Sequence, residues 1–185
     1  MAKTPETLAV SFELGAADIA YFRERLAKAR SKQQGDEAAT MAAADALATS
    51  PAAAEAPAFI RASLAKLKNL TAMLRDTSWR LEGEHRQRVL DALAYFAEAD
   101  DLIPDKIPGV GYLDDAIMIE LVARELAPEI EAYADFLKFR AARSGADSRV
   151  VNQQRDSLQR RMRRRGRRLR GGSGGGAELS PLSLW

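Results

Sequence analysis

Apolar residues recur along this chain every three or four positions, in blocks parted by Gly, Pro and acidic breaks, and almost nowhere alternate with polar ones at period two. In "GAADIAYFRERLAKARSK" Ile19, Phe22, Leu26 and Ala29 share one helical face, with Gly15 at the N-cap and Asp18 near the positive end of the helix dipole. "APAFIRASLAKLKNLTAMLRD" sets Pro57 at a helix start and Ile60, Leu64, Leu67, Thr71 and Leu74 on a stripe. After Gly83, "EHRQRVLDALAYFAEA" turns Val89, Leu90, Leu93 and Phe96 inward. The longest stretch, "YLDDAIMIELVARELAPEIEAYADFLKFRAA", has an inner face of Leu113, Ala116, Ile117, Leu121, Leu126, Ile130, Tyr133 and Leu137, with Pro128 expected to bend it. Two segments are weaker. Asp36 to Ala58 is mostly alanine and reads as a thin helix to Thr49 followed by a linker, while Val10, Phe12 and Leu14 of "VSFEL" can lie extended against a helix. The expectation is an all-α fold, a small helical bundle.

The last block breaks with what precedes it. Val151, Leu158, Met162 and Leu169 align in a narrow stripe among arginines, Gly166 weakens the helix near its end, and "GGSGGG" is a tether that leaves "PLSLW" exposed as a peptide ligand. Residues 143–185 hold 11 Lys/Arg against 3 Asp/Glu, net +8, which leaves 17 against 23, net −6, in residues 1–142. The two parts are therefore expected to have different partners. Three regions follow: a helix with an Ala-rich linker (1–58), a helical core (59–142) containing a hairpin (84–142), and a basic helix with a Gly-rich tail (143–185).

Composition removes several function classes. With 185 residues there is room for one domain with a core plus tails, and the absence of cysteine excludes disulfides, thiolate metal sites and thiol catalysis. Acids interrupt the start of the chain where a secretion signal needs an apolar run, and "AIMIELVA" falls far short of the ~20 residues that cross a bilayer. The expected location is the cytoplasm, with a peripheral place on the inner membrane as an extension of it. His85, the one histidine, reads as a solvated or capping residue among charges, and Trp79 as a cover over the core. "GGSGG" fits the nucleophile-elbow pattern in letters only, because no strand precedes it and no helix follows.

Between the last two core helices stands "DLIPDKIPGVGYLDD", residues 101–115. Here the sequence resembles the YkvA-like family, bacterial domains of unknown function whose hallmark runs D-L-I-P-D-x-I-P-x-x-G-x-x-D-D. The resemblance spans Leu93 to about Pro128, and its hallmark positions are Asp101, Leu102, Ile103, Pro104, Asp105, Ile107, Pro108, Gly111, Asp114 and Asp115. Glu98, Ala99 and Asp100 replace a Ser-Pro-apolar lead-in, and Lys106 an apolar residue. Some relatives look membrane-associated; these polar replacements argue against lipid insertion. The resemblance implies no reaction.

Physically, each Leu or Ile of the motif is worth about 1.5 to 3 kcal/mol when buried, so the apolar residues are expected to point inward. Pro104 and Pro108 favour extended backbone at Ile103 and Ile107, Gly109 and Gly111 allow bends, and the loop becomes a wedge between helices. Asp101 and Asp105 then suit turn or cap positions, and Asp114 or Asp115 a cap on the long helix. The rival reading makes Asp101, Asp105, Asp114 and Asp115 ligands of a divalent cation, though their spacing is not that of an EF-hand.

The basic helix has four candidate partners. Its stripe can dock on the acidic body of its own chain, or residues 149–170 can meet nucleic acid, an anionic membrane surface or another protein. The polyanion candidates are Arg160, Arg161, Arg163, Arg164, Arg165, Arg167, Arg168 and Arg170. No aromatic lies among them to stack on bases, so nucleic-acid binding would be non-specific. The sequence thus reads as a non-enzymatic helical scaffold or adaptor with no cofactor and an unknown protein partner. Nucleic-acid binding through the tail is the first alternative, and a carboxylate metal site the second.

Overall fold

In the computed structural model, described for residues 13–32, 36–97, 103, 107, 110–145, 147–171 and 184, without the side chains of 169–171, helices supply the regular structure and no strand occurs among the described residues. The all-α expectation holds. Val10, Phe12 and the glycine tether lie outside the described residues; Leu14 packs against the core.

Local chemistry sets the helix starts. Helix α1 (Ala16–Lys32) begins where the Asp18 carboxylate accepts from the Gly15 amide at 2.8 Å, and it buries Ile19, Phe22, Leu26 and Ala29. Helix α2 (Glu37–Thr49) is capped by Asp36, which accepts from the Ala39 amide at 2.9 Å. Ser50 ends α2 and starts the short α3 (Pro51–Glu55), accepting from the Ala53 amide with Pro51 at the first position. Pro57 leads into α4 (Ala58–Arg75), whose predicted stripe is buried throughout.

The thin helix is not a linker. Ala44, Ala48, Ala53 and Ala56 join the one hydrophobic cluster that runs through the bundle, and Thr40 is buried beside them. Their small side chains bring α2 close against α4, where Thr71 Oγ1 donates to Asp45 Oδ1 at 2.7 Å and Arg75 pairs with the same carboxylate. Little bulk meant a close approach between helices, not an absence of packing.

Helix α5 (Gly83–Leu93) begins at Gly83, whose φ of 62° suits glycine, and runs into a 3₁₀ turn over Ala94–Ala97. The longest stretch is two helices, α6 (Leu113–Glu125) and α7 (Ala127–Ala142). Pro128 breaks it where a bend was expected, because its ring cannot pass the carbonyl four residues back inside a helix but sits freely in a first turn. Leu126, at φ −94° and ψ 13°, is the shared joint. The break resets the phase of the inner face: α7 buries Pro128, Glu129, Ala132, Tyr133 and Phe136, and Leu137 is exposed instead of inside.

Helix α8 (Ser148–Gly171) passes antiparallel along α7, with Arg161 on Asp135 at 2.6 Å and Arg165 on Glu131. Leu158 and Met162 are 4% and 2% exposed and belong to the core; Gly166 is buried with them, one turn further on. Trp79 is fully buried between Tyr133 and Phe136, and Gln159 Nε2 of α8 donates to its carbonyl at 2.7 Å.

Candidate functional site

The motif leads from the 3₁₀ turn to α6. Asp101, Leu102, Pro104, Asp105 and Pro108 lie outside the described residues; Ile103, Ile107, Val110 and Gly111 to Asp115 can be followed. The Gly111 amide donates to the Ile107 carbonyl at 2.9 Å, and Leu113 to Val110 at 3.0 Å, so the backbone bonds close a turn on itself. Gly111 and Tyr112 are buried, while Val110 before them faces out. Ile107 is 40% exposed and Val110 44%, while Ile103 and Leu113 are half-buried. The expectation that the motif's apolar residues point inward is therefore corrected at Ile107 and Val110: the turn's hydrogen bonding, not transfer energy, sets their direction.

The two described acids of the motif are buried in the first turn of α6, at the positive end of its dipole, but neither caps it; Tyr112 holds the N-cap position without a side-chain bond. Asp114 Oδ2 instead accepts from the Ile103 amide at 3.2 Å, tying the loop to the helix. Tyr95 is buried close by, and burial, with the negative charges of Asp114 and Asp115, pushes its hydroxyl well above its ordinary value. Tyr112 OH and Ser50 Oγ lie 3.1 Å apart, joining the motif to the α2–α3 joint. Among the described residues no cluster of three or more His, Asp or Glu is arranged to hold a metal ion.

Beside the motif, α4 and α6 form an apolar groove of about 300 Å³, lined by Leu14, Phe59, Leu113, Ala116, Ile117 and Leu121. Phe59 is 54% exposed. Polar groups sit at the rim: Ser63 and Lys66 both donate to Glu120 Oε1, at 2.8 and 2.6 Å. Burial alone would raise the Glu120 carboxyl, but these donors and the lysine charge hold it below its usual range.

A second polar cluster joins α5 to α7 on His85, expected to be solvated or capping, and on Arg88 and Glu129, which the sequence did not single out. His85 is 3% exposed, not solvated, and its Nδ1 lies 2.7 Å from Glu129 Oε1. Arg88 reaches the same oxygen at 3.1 Å and the Glu125 carbonyl at 3.3 Å. Glu129 is wholly buried; burial would push its carboxyl up, yet the His85 hydrogen bond and the Arg88 charge outweigh that and hold it low. One sequence signal was available: an acid directly after Pro128 belongs to the first turn of a new helix. Nearby, Asp76 accepts from the Ser78 and Trp79 amides, from Tyr133 OH at 3.2 Å and from Arg140. Burial and that carboxylate push the Tyr133 hydroxyl up to about 12.

Of the polyanion candidates, Arg161 and Arg165 are taken up by α7, Arg160, Arg163, Arg164, Arg167 and Arg168 are exposed, and the Arg170 side chain lies outside the described residues. Leu184, the described residue of the tail beyond α8, is buried instead of exposed, its amide 3.4 Å from Glu125 Oε1. No described helix is long and apolar enough to cross a membrane.

Fold and sites together define an all-α bundle that contains a helix-loop-helix segment. That segment is similar to a family described as "Protein of unknown function (DUF1232)", whose model matches residues 89–121, from the middle of α5 through the motif into α6. No curated protein and no solved structure matches the chain.

Proposed function

We propose that the chain is a non-enzymatic helical adaptor of the YkvA-like kind, which docks a protein partner at its motif end. One observation carries this reading: the apolar side chains of Ile107 and Val110 on the motif turn, and of Phe59 in the groove that Leu113 also lines, are exposed, whereas the described acids of the motif are turned inward. Acids enclosed by helices offer no open chemistry, while a concave apolar groove with a polar rim accepts side chains from a partner. A second reading, favoured by two bare aliphatic residues at a turn, is peripheral contact with lipid at the inner face of a membrane.

The test compares the full chain with a Phe59→Ser, Ile107→Ser, Val110→Ser variant in crosslinking from a cell extract and in flotation with lipid vesicles. A crosslinked protein lost in the variant supports the adaptor. Vesicle flotation lost in the variant, with no change in crosslinks, replaces it with the lipid reading. If neither readout depends on these residues, the docking edge is wrong.

A further inference from the structure

The outward side of α8 is a charged face apart from the motif end. At about 100° per residue, Leu158, Met162 and Gly166 fall on one side of the helix and Arg160, Arg164, Arg167 and Arg168 on the opposite side. The first set is buried against the bundle and the second is exposed. Arg161 and Arg165 occupy the flank and are taken by Asp135 and Glu131. Arg160, Arg164, Arg167 and Arg168 lie beyond ion-pair reach of any described carboxylate. The docked helix is thus held by its apolar side, pinned along one edge, and left with a row of guanidinium groups pointing away from the protein.

Two polyanions could meet such a row, and the burial pattern separates them. A basic helix that lies in a membrane surface sinks its apolar side into the acyl boundary, but here Leu158 and Met162 are already committed to the bundle and Val151 packs on the core, leaving Val150 as the exposed apolar residue among the described side chains of α8. What remains is charge on a rigid rod. From Arg160 to Arg168 the helix rises about 12 Å, and each strand of a nucleic-acid duplex presents one phosphate per ~3.4 Å of axis, so the row spans roughly four phosphates of one strand. No aromatic ring shares that face to stack on a base. We propose that Arg160, Arg164, Arg167 and Arg168 form a binding surface for the phosphodiester backbone of nucleic acid, engaged through phosphates without sequence preference.

Fluorescence anisotropy of the full chain with two short DNA duplexes of unrelated sequence tests this across salt concentrations. Four neutralised phosphates give an affinity that falls about 100-fold between about 50 and 200 mM salt, and the two duplexes should bind alike. Replacing all four arginines by Gln should weaken low-salt binding at least about ten-fold and flatten the salt dependence, with an unchanged circular dichroism melt because none of the four holds a described carboxylate. The matching Arg→Lys variant, which keeps the charge, should bind nearly as the parent does. Duplex binding that is absent at low salt, survives the Gln variant or strongly prefers one sequence overturns the proposal. So does an arginine-dependent capture of phosphatidylserine vesicles in the absence of duplex binding.

Discussion

At the α5–α7 junction His85 and Glu129, 44 positions apart, are shut inside the bundle and bonded to each other, with the half-buried Arg88 on the same carboxylate oxygen. At the motif end the arrangement is inverted: Asp114 and Asp115 are turned inward, while Ile107 and Val110 stand in water. The junction follows the rule that buried charge must be paired. The motif end departs from the rule that large aliphatic groups seek the interior, and on the proposed reading these two side chains belong to the surface that a partner covers. The contrast is between polar groups used for cohesion and apolar groups withheld from it.

The largest effect should come from breaking the junction. Glu129→Ala leaves His85 and Arg88 facing each other without the carboxylate between them, and removing one partner of a buried ion pair costs about 3 to 5 kcal/mol. Urea titration followed by circular dichroism reads that loss. A change below about 1 kcal/mol would mean that the junction is not closed in solution.

Neutralising the same carboxylate instead of deleting it has a smaller effect. Because Glu129 is held below its ordinary value of 4.5, its contribution is complete above that value and is lost as pH falls through the lower folded one. Asp45 and Glu120, also held low, act in the same direction. The melting temperature should therefore fall below about pH 4.5, and Glu129→Gln should reduce that acid-side loss while lowering the neutral plateau. An acid limb identical in parent and variant assigns the loss to other carboxylates.

On the far side of α7, Met162→Ala tests whether α8 is part of the cohesive region. A buried Met truncated to Ala costs about 2 to 3 kcal/mol where the cavity cannot collapse. An unchanged urea midpoint would mean that α8 leaves α7 in solution. Asp114→Ala ranks next. It removes the acceptor of the Ile103 amide, worth about 1 to 2 kcal/mol, and proteolysis within residues 101–112 should accelerate as the loop is released.

The two regions were unequally legible in the sequence. Stripes of large residues announced α1 and α4 because period 3.6 survives wherever bulk marks the inner face. Helix α2 was discounted because alanine carries too little contrast, although small side chains are what allow Ala44 and Ala48 to bring two helices together. The inner face of α7 was misread at Leu137 since the break at Leu126 shifts the helical phase, and the same shift carries Glu129 into the core. His85 and Glu129 are 44 positions apart, so no local pattern pairs them. The motif was conspicuous from its letters, but Asp114, expected to cap the long helix, instead accepts from the Ile103 amide, a bond from eleven positions back that no capping pattern announces. The direction of Ile107 and Val110 was no more legible, because it depends on a turn whose hydrogen bonds leave no trace in composition.

The smallest effect on stability is the one that decides the comparison. Ile107→Ser with Val110→Ser replaces two exposed aliphatic groups by polar ones, and exposed positions usually tolerate this within about 0.5 kcal/mol. The urea midpoint should therefore scarcely move, while self-association at high protein concentration, measured by light scattering, should fall as bare apolar surface is removed. If the pair instead costs more than about 1.5 kcal/mol, a burial-sized loss, the motif turn packs inward in solution and both ends of the molecule serve cohesion. If stability holds, selection for folding has no claim on these two side chains. Their place in the motif is then explained by what they touch outside the chain.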